Sequence, residues 1–204
     1  MSTTTTLSTA NRPRPIRLPG GAKLVIRPLR REDARAYERF AYSLSAETLH
    51  NRLLGAGLAI TPERLAYMVE VDQLTHVALA AIERATGGER IVGVARYALE
   101  ADPTLAEFAV TVADAWQGQG VGRALLAALV RRARAAGVKM LFGDTFPSNT
   151  AMLALMRSAD FALAPTPGDA HLTRGSMLLR APRPRKTAAR TAPRRAPSPR
   201  RRPS

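Results

Sequence analysis

Three glycines at alternate positions, Gly118, Gly120 and Gly122, stand between an extended-looking run and an amphipathic run, and this is where the chain could do chemistry. Alternate glycines at a helix start let the backbone approach a ligand closely. The unpaired N–H groups of the first helical turn then face that ligand, and the helix dipole favours an anion there. The pattern Gln117-x-x-Gly120-x-Gly122 therefore predicts a phosphate or pyrophosphate seat. A dinucleotide fingerprint would need a third glycine where Arg123 stands, and an acidic residue about 20 positions on. No acid occurs between Asp114 and Asp144. A nucleotide-triphosphate loop would need Gly-Lys-Ser/Thr, which the chain lacks.

Such a loop needs a strand before it and a helix after it, and the pattern supplies both. From Ala106, Phe108, Val110 and Val112 alternate with Glu107, Ala109 and Thr111, as in a strand with two unlike faces. After the glycines, Val121, Leu125, Leu126, Leu129, Val130 and Ala133 form an apolar stripe, with Arg123, Arg131, Arg132 and Arg134 expected on the wet side. Upstream, Leu24–Ile26 predicts a short strand, residues 31–43 and 46–54 predict helices, and Gly55-Ala-Gly57 ends the second. Thr61-Pro62 opens another helix. Residues 76–82 and 90–99 predict a hairpin turning at Thr86-Gly87-Gly88-Glu89. Downstream come a strand over 139–142, a helix from Asn149 to Arg157, and strands over 161–164 and 173–179. The order predicts an α/β (α+β) fold, a mixed sheet of six or seven strands with helices on both faces.

The whole chain has 204 residues, 46% of them hydrophobic, which suits one domain plus tails. Without cysteine there are neither disulfides nor cysteine–histidine metal sites, and three scattered histidines make a zinc site unexpected. No apolar run approaches the ~20 residues of a membrane span, and the N-terminus lacks a secretory signal, so a cytoplasmic protein is expected. Net charge is +15, and residues 181–204 carry nine positive charges and no acid. The expected organisation is a disordered extension over 1–20, a folded domain over 21–180, and a disordered, basic Pro/Ala/Arg-rich tail over 181–204.

From roughly Lys23 to Arg180 the order of elements and the Gln-x-x-Gly-x-Gly loop resemble the GNAT N-acetyltransferases. The stretches Thr61-Pro-Glu-Arg-Leu, His76-Val-Ala-Leu, Ile91-Val-Gly-Val-Ala-Arg-Tyr97 and Ala106-Glu-Phe-Ala-Val resemble the bacterial protein-lysine acetyltransferase branch. The fused cyclic-nucleotide or acyl-CoA synthetase domains of that branch are not expected in a chain of this length. The resemblance implies acetyl-CoA as co-substrate and no metal. It places Val110, Thr111 and Val112 beside the pantetheine arm. It places the loop Gln117, Gly118, Gln119, Gly120, Val121, Gly122 and Arg123 at the pyrophosphate. Asn149 falls where an asparagine contacts the cofactor, although by residue type it is equally a helix cap. Glu107 falls at the position of a general base; by pattern alone it is also a solvated strand glutamate. A base is needed because a lysine amine, with a pKa of ~10.4, is protonated near neutral pH. Two positions depart from the family: the usual thiolate-protonating tyrosine is Met156 and the following glycine is Asp160, while Phe161 is retained. A thiol of pKa ~8.5 leaves tolerably without an acid.

The resemblance therefore implies an enzyme moving the acetyl group to a primary amine, with a protein lysine first, by direct attack in a ternary complex. A small-molecule amine acceptor is the alternative, for which Glu70, Asp72 and Asp144 are the candidate groove acids. A second class is a nucleic-acid-associated protein with weak or lapsed catalysis, binding polyanions non-specifically through residues 181–204.

Overall fold

The computed structural model describes residues 12–55, 61–85 and 88–179. Gly57, Thr86, Gly87 and the basic segment 181–204 lie outside the described residues, so the expectations placed on them stay open. Eight strands form one sheet in the order β1-β2-β3-β4-β5-β6-β8-β7. They are β1 (Arg14–Arg17), β2 (Lys23–Pro28), β3 (His76–Ala85), β4 (Gly88–Leu99), β5 (Leu105–Val112), β6 (Met140–Thr145), β7 (Ala162–Thr166) and β8 (Asp169–Leu178). Every neighbouring pair is antiparallel except β5–β6, which is parallel. Among the described residues five α-helices accompany it: α1 (Ala34–Tyr42), α2 (Ala46–Arg52), α3 (Pro62–Val69), α4 (Val121–Ala135) and α5 (Thr150–Ser158). Among the described residues no helix is long and apolar enough to cross a membrane.

The strand beyond the expected six or seven is β1, which falls inside the extension expected to be disordered. Leu18 N–H donates to Ala22 O and Gly21 N–H to Leu18 O, with Gly21 at φ +87°, so the chain folds back and pairs Arg14 with Ile26. Arg-Pro-Ile-Arg carries little strand signal. Pro15 is tolerated because β1 is an edge strand with a neighbour on one side only.

The core lies in two layers around the first half of the sheet. Alternate β3 residues face opposite ways: Val77, Leu79 and Ala81 join the α4 and α5 side, while Ala78, Ala80 and Ile82 join the α1 and α3 side. Leu125, Leu126 and Leu129 of α4 are each at most 1% exposed, and each contributes about 1.5–3 kcal/mol by burial. Gly93 makes the close approach of α4 possible, since a Cβ there would lie 2.9 Å from Leu125 Cδ1. Arg132 corrects the sequence expectation. At i+7 from Leu125 and i+3 from Leu129 it shares their face, and it is 2% exposed rather than wet. Its Nη2 donates to Gln73 O; its Nε and Nη1, and the nearby Tyr97 Oη, have no hydrogen-bond partner among the described residues.

On the other face, Arg27 and Asp33 form a two-pronged buried pair, both contacts at 2.7 Å. Burial alone would push the Asp33 carboxyl up. The Arg27 hydrogen bond and the Arg30 N–H overcome this and hold it below the usual carboxylate range.

Candidate active site

β5 and β6 pair over only three residues, Leu105–Glu107 with Met140–Phe142, and then part. The gap between them is a cleft of about 640 Å³ that continues between α2 and α5. Gly143 brings β6 against β5 just where the pairing ends: a Cβ there would lie 2.7 Å from Phe108 O.

The hydrogen-bond alternation of an antiparallel pair fixes which backbone groups face this gap. Glu100 N–H donates to Leu105 O and Ala113 N–H to Val92 O, so odd-numbered residues of β5 bond to β4. The backbone groups of Val110 and Val112 therefore turn toward the cleft, whereas those of Thr111 are used on Val94. Of the three strand residues expected at the pantetheine arm, two offer backbone groups and Thr111 only lines the cleft.

The glycine loop ends this strand as the sequence predicts. Gly118 and Gly120 have φ of +72° and +91°, conformations that favour glycine, and Gly120 is the N-cap of α4. The first α-helical bond is Ala124 N–H to Gly120 O, so the amides of Val121, Gly122 and Arg123 have no partner within the helix. Gly118, Gly120, Gly122 and Arg123 line the cleft. Two loop residues contribute no side chain to it. Val121 is 1% exposed in the core, and Gln119 Nε2 donates to Ala115 O.

Gln117 lines the cleft and also ties its walls together. Its Nε2 donates to Val112 O and to Thr48 Oγ1, both at 3.1 Å. Asp114 accepts from Ser45 N–H, Ser45 Oγ and Thr48 Oγ1, which clamps the start of α2 to the loop; the Ser45 hydroxyl, ahead of burial, holds its carboxyl low. Sequence reasoning missed Ser45, Thr48 and Asp114. The local signal was a Ser45 N-cap, but partners 66 and 69 residues apart leave no trace in spacing. It also missed Asn51 and Arg52, which line the cleft from α2, and the stack of His50 on Phe146 (5.0 Å), which joins α2 to the β6–α5 loop.

Asn149 Oδ1 caps α5 by accepting from Met152 N–H at 3.1 Å, and the residue lines the cleft. Met156 is 1% exposed, and its thioether occupies the space above Gly175 where a Cβ would collide. A methionine there has no proton to give. Asp160 stands at φ +63°, a left-handed helix end that aspartate tolerates, and Phe161 packs on Phe108 at 5.0 Å.

Glu107 points from β5 to the face opposite Phe108 and lines the cleft at its strand-pairing end. Its carboxyl is pushed up by burial first, then by Asp144 and Glu100, while Arg174 and Arg52 oppose the shift. Asp144 has the opposite environment. Arg174 holds it with Nε at 2.8 Å and Nη2 at 2.7 Å, Thr166 donates at 3.0 Å, and its carboxyl is lowered, chiefly by Arg174. Two neighbouring carboxylates pushed apart in this way separate an uncommitted proton acceptor from a fixed charge. The other candidate groove acids lie elsewhere: Glu70 pairs with Arg31 at 2.8 Å, and Asp72 caps the turn before β3 through Leu74, Thr75 and His76 N–H.

A second groove, of about 530 Å³, adjoins on the sheet face that Glu107 shares, with Leu105, Met140 and Phe142 on its floor and Glu100 and Asp102 at its rim. Arg174 divides the two, bonded to Asp144 in the cleft and lying 4.5 Å over the Phe142 ring in the groove. Glu107 stands at the junction.

The acetyltransferase (GNAT) family model matches residues 45–161. An acetyltransferase of Pseudomonas aeruginosa is 33% identical over 152 residues, 74% of this chain and 82% of that protein. The acetyltransferase Pat of Mycolicibacterium smegmatis is 31% identical over 71% of this chain, which spans 43% of Pat. Among solved structures, the GNAT domain of Streptomyces lividans PAT superposes with a TM-score of 0.74 at 24% identity, covering 82% of this chain and 97% of that one. A Salmonella typhimurium structure with its cofactor acetyl-CoA gives 0.58 at 23% identity, covering 77% and 94%.

Proposed function

Because the chain belongs to the GNAT acetyltransferase family, we propose that it moves the acetyl group of acetyl-CoA to the side-chain amine of a protein lysine, with Glu107 as general base. The observation that carries this reading is the place of Glu107, where the cleft between β5 and β6 meets an open groove on the sheet. The cleft suits the co-substrate. Its end at the glycine loop offers the unpaired amides of Val121, Gly122 and Arg123, with the helix dipole behind them, to a pyrophosphate. The Val110 and Val112 backbone groups can hydrogen-bond the amide-rich pantetheine arm as an added strand would, and an N–H there can meet the developing oxyanion. Gln117 keeps this edge in place by holding Val112 O.

The acceptor enters from the other side. Its ammonium gives a proton to Glu107, whose raised pKa makes it a better base than an ordinary surface glutamate. The free amine then attacks the thioester directly, and the thiolate leaves without a protonating side chain at position 156. The groove is open, which suits a lysine presented by a polypeptide, whereas a small amine would call for an enclosed pocket.

The test is thiol release from acetyl-CoA with a lysine peptide and with a small free amine. Wild type should favour the peptide. Glu107→Gln should lower turnover ~100-fold or more near neutral pH while acetyl-CoA affinity by calorimetry is retained. Equal turnover by the variant removes the base role; a preference for the free amine removes the protein acceptor.

A further inference from the structure

The groove beside Glu107, which carries Glu100, Asp102 and Arg174 among apolar residues, also lies where β8 delivers the rest of the chain. β8 ends at Leu178, which pairs with Met140, and Leu179 N–H donates to Lys139 O. Leu178 is 78% exposed, although it is a large apolar side chain, and it pairs with Met140 of the groove. The next residues, Arg180 through Lys186, read Arg-Ala-Pro-Arg-Pro-Arg-Lys. Glu100 and Asp102 stand at the groove rim; Glu100 opens the β4–β5 turn, which is bonded through Leu105, and Asp102 holds Thr104 N–H.

We propose that this groove takes the chain's own segment after Leu179 and that Lys186 is acetylated by its own active site. The proposal rests on the acetyl-transfer reading of Glu107 and names one acceptor for it.

Reach and charge both favour this occupant. Glu107 pairs with Phe142 and Phe142 with Ser176, so Leu178 is two strands across and two residues along from Glu107. That separation is about 12 Å at ordinary strand spacings. The eight residues from Leu178 to Lys186 can span up to about 26–29 Å. The surplus allows the chain to turn back over the sheet face. Arg183 and Arg185 carry charge opposite to the Glu100 and Asp102 carboxylates, and Lys186 follows them in sequence. Residues 181–204 hold eight arginines and a single lysine, so one amine of that segment can accept. A tether of this length holds that amine at about millimolar effective concentration, which an external acceptor rarely matches.

The step is the ordinary transfer. The Lys186 ammonium gives one proton to the Glu107 carboxylate, and its nitrogen attacks the thioester carbon of acetyl-CoA. The N–C bond forms and the C–S bond breaks. The acylated nitrogen sheds its second proton to water, the thiolate takes one from water, Glu107 returns its proton to solvent, and the products are an acetamide on Lys186, the free thiol and one released proton.

The experiment incubates the full chain with acetyl-CoA alone and maps acetyl groups by peptide mass spectrometry over a range of chain concentrations. Lys23 and Lys139 are exposed and report background chemical acetylation. The expected result is one acetyl group per chain at Lys186, formed at a rate per chain that does not depend on chain concentration. Lys186→Arg should abolish it while leaving transfer to a small free amine intact, and Glu107→Gln should slow it as much as it slows the external reaction. Labelling of Lys186 no faster than of Lys23 and Lys139, or a rate that climbs with chain concentration, overturns the inference. A chain that transfers to a free amine but leaves Lys186 unlabelled also overturns it, without touching the enzyme reading. A chain that neither binds acetyl-CoA nor transfers to any amine removes both.

Discussion

Strands β2 to β4 and strands β5 to β8 belong to one sheet but are built to different rules. The first group is covered twice. β3 alternates between two apolar layers, α4 lies on one side and α1 with α3 on the other, and seven successive residues of β4 are buried. The second group is covered once. α5 packs on one face, while the other carries Glu107, Phe142 and Leu178 beside two cavities. The double apolar layer is concentrated in the closed half and the two cavities in the half left open, and β5 is the strand they share. One of its faces holds Phe108 and Val110 in the core, and its other face presents Glu107. The seam opens there because β5 and β6 pair for only three residues, which leaves backbone groups for a ligand.

If the halves divide this way, damage to the closed half should cost stability and leave the site alone. Asp33→Asn removes one partner of a buried ion pair and should destabilise by about 3 kcal/mol, at the low end for such pairs because Glu89 also reaches Arg27 at 3.0 Å. The sign follows from its lowered carboxyl. The pair's contribution is full above the unfolded pKa of 3.8 and fades as pH falls through the lower folded value, so the deficit should shrink in acid. Denaturant titration across pH measures this, with acetyl-CoA affinity expected to stay unchanged. A loss of affinity equal to the loss of stability would break the division.

A second outcome sharpens the role of the open half. Because Glu107 takes the proton of the bound ammonium, only Glu107 itself must first lose a proton, so log kcat/KM should climb with pH at a slope of about one below its raised pKa and then level off. Glu107→Gln should give a slope of about one throughout. A profile that levels off at the same pH in both proteins would assign the base role to another group.

The smallest effect runs against activity. A carboxyl whose folded pKa is raised gives stability that is full below the unfolded value of 4.5 and is lost as pH rises through the folded one. At neutral pH, Glu107→Gln should therefore melt slightly higher than wild type, with the gap closing toward pH 4.5. A lower melting point at neutral pH would mean that Glu107 is a structural residue of β5.

The closed half and the glycine loop were largely legible in the sequence, because their signals are local. Leu125, Leu126 and Leu129 repeat at helical spacing, and Gly118 and Gly120 are needed for positive φ. β1 was not legible, because Arg-Pro-Ile-Arg becomes a strand only when Gly21 turns it back onto β2. Arg132 was misplaced by residue type although its spacing pointed inward. At the site, Glu107 and Asn149, far apart in the chain, both line the cleft between β5 and β6. The clamp of Asp114 on Ser45 and Thr48, and the contrast between Asp144 held by Arg174 and Glu107 left free, are long-range pairings that a single chain read alone does not encode as a pattern. The same holds for Thr111: its backbone use was decided by sheet register.

The central claim is that the α4 N-terminus seats the co-substrate's pyrophosphate, and the direct measurement compares Gly120→Asp with Gly120→Asn by acetyl-CoA calorimetry. Both side chains meet the same left-handed backbone at φ +91°, and both residue types tolerate it, so the pair differs chiefly in one negative charge. Melting curves should therefore coincide. Gly120→Asn should retain weakened binding, while Gly120→Asp should lose at least tenfold more through repulsion of a like charge. Equal affinities in two folded variants would contradict the account and move the pyrophosphate away from this helix.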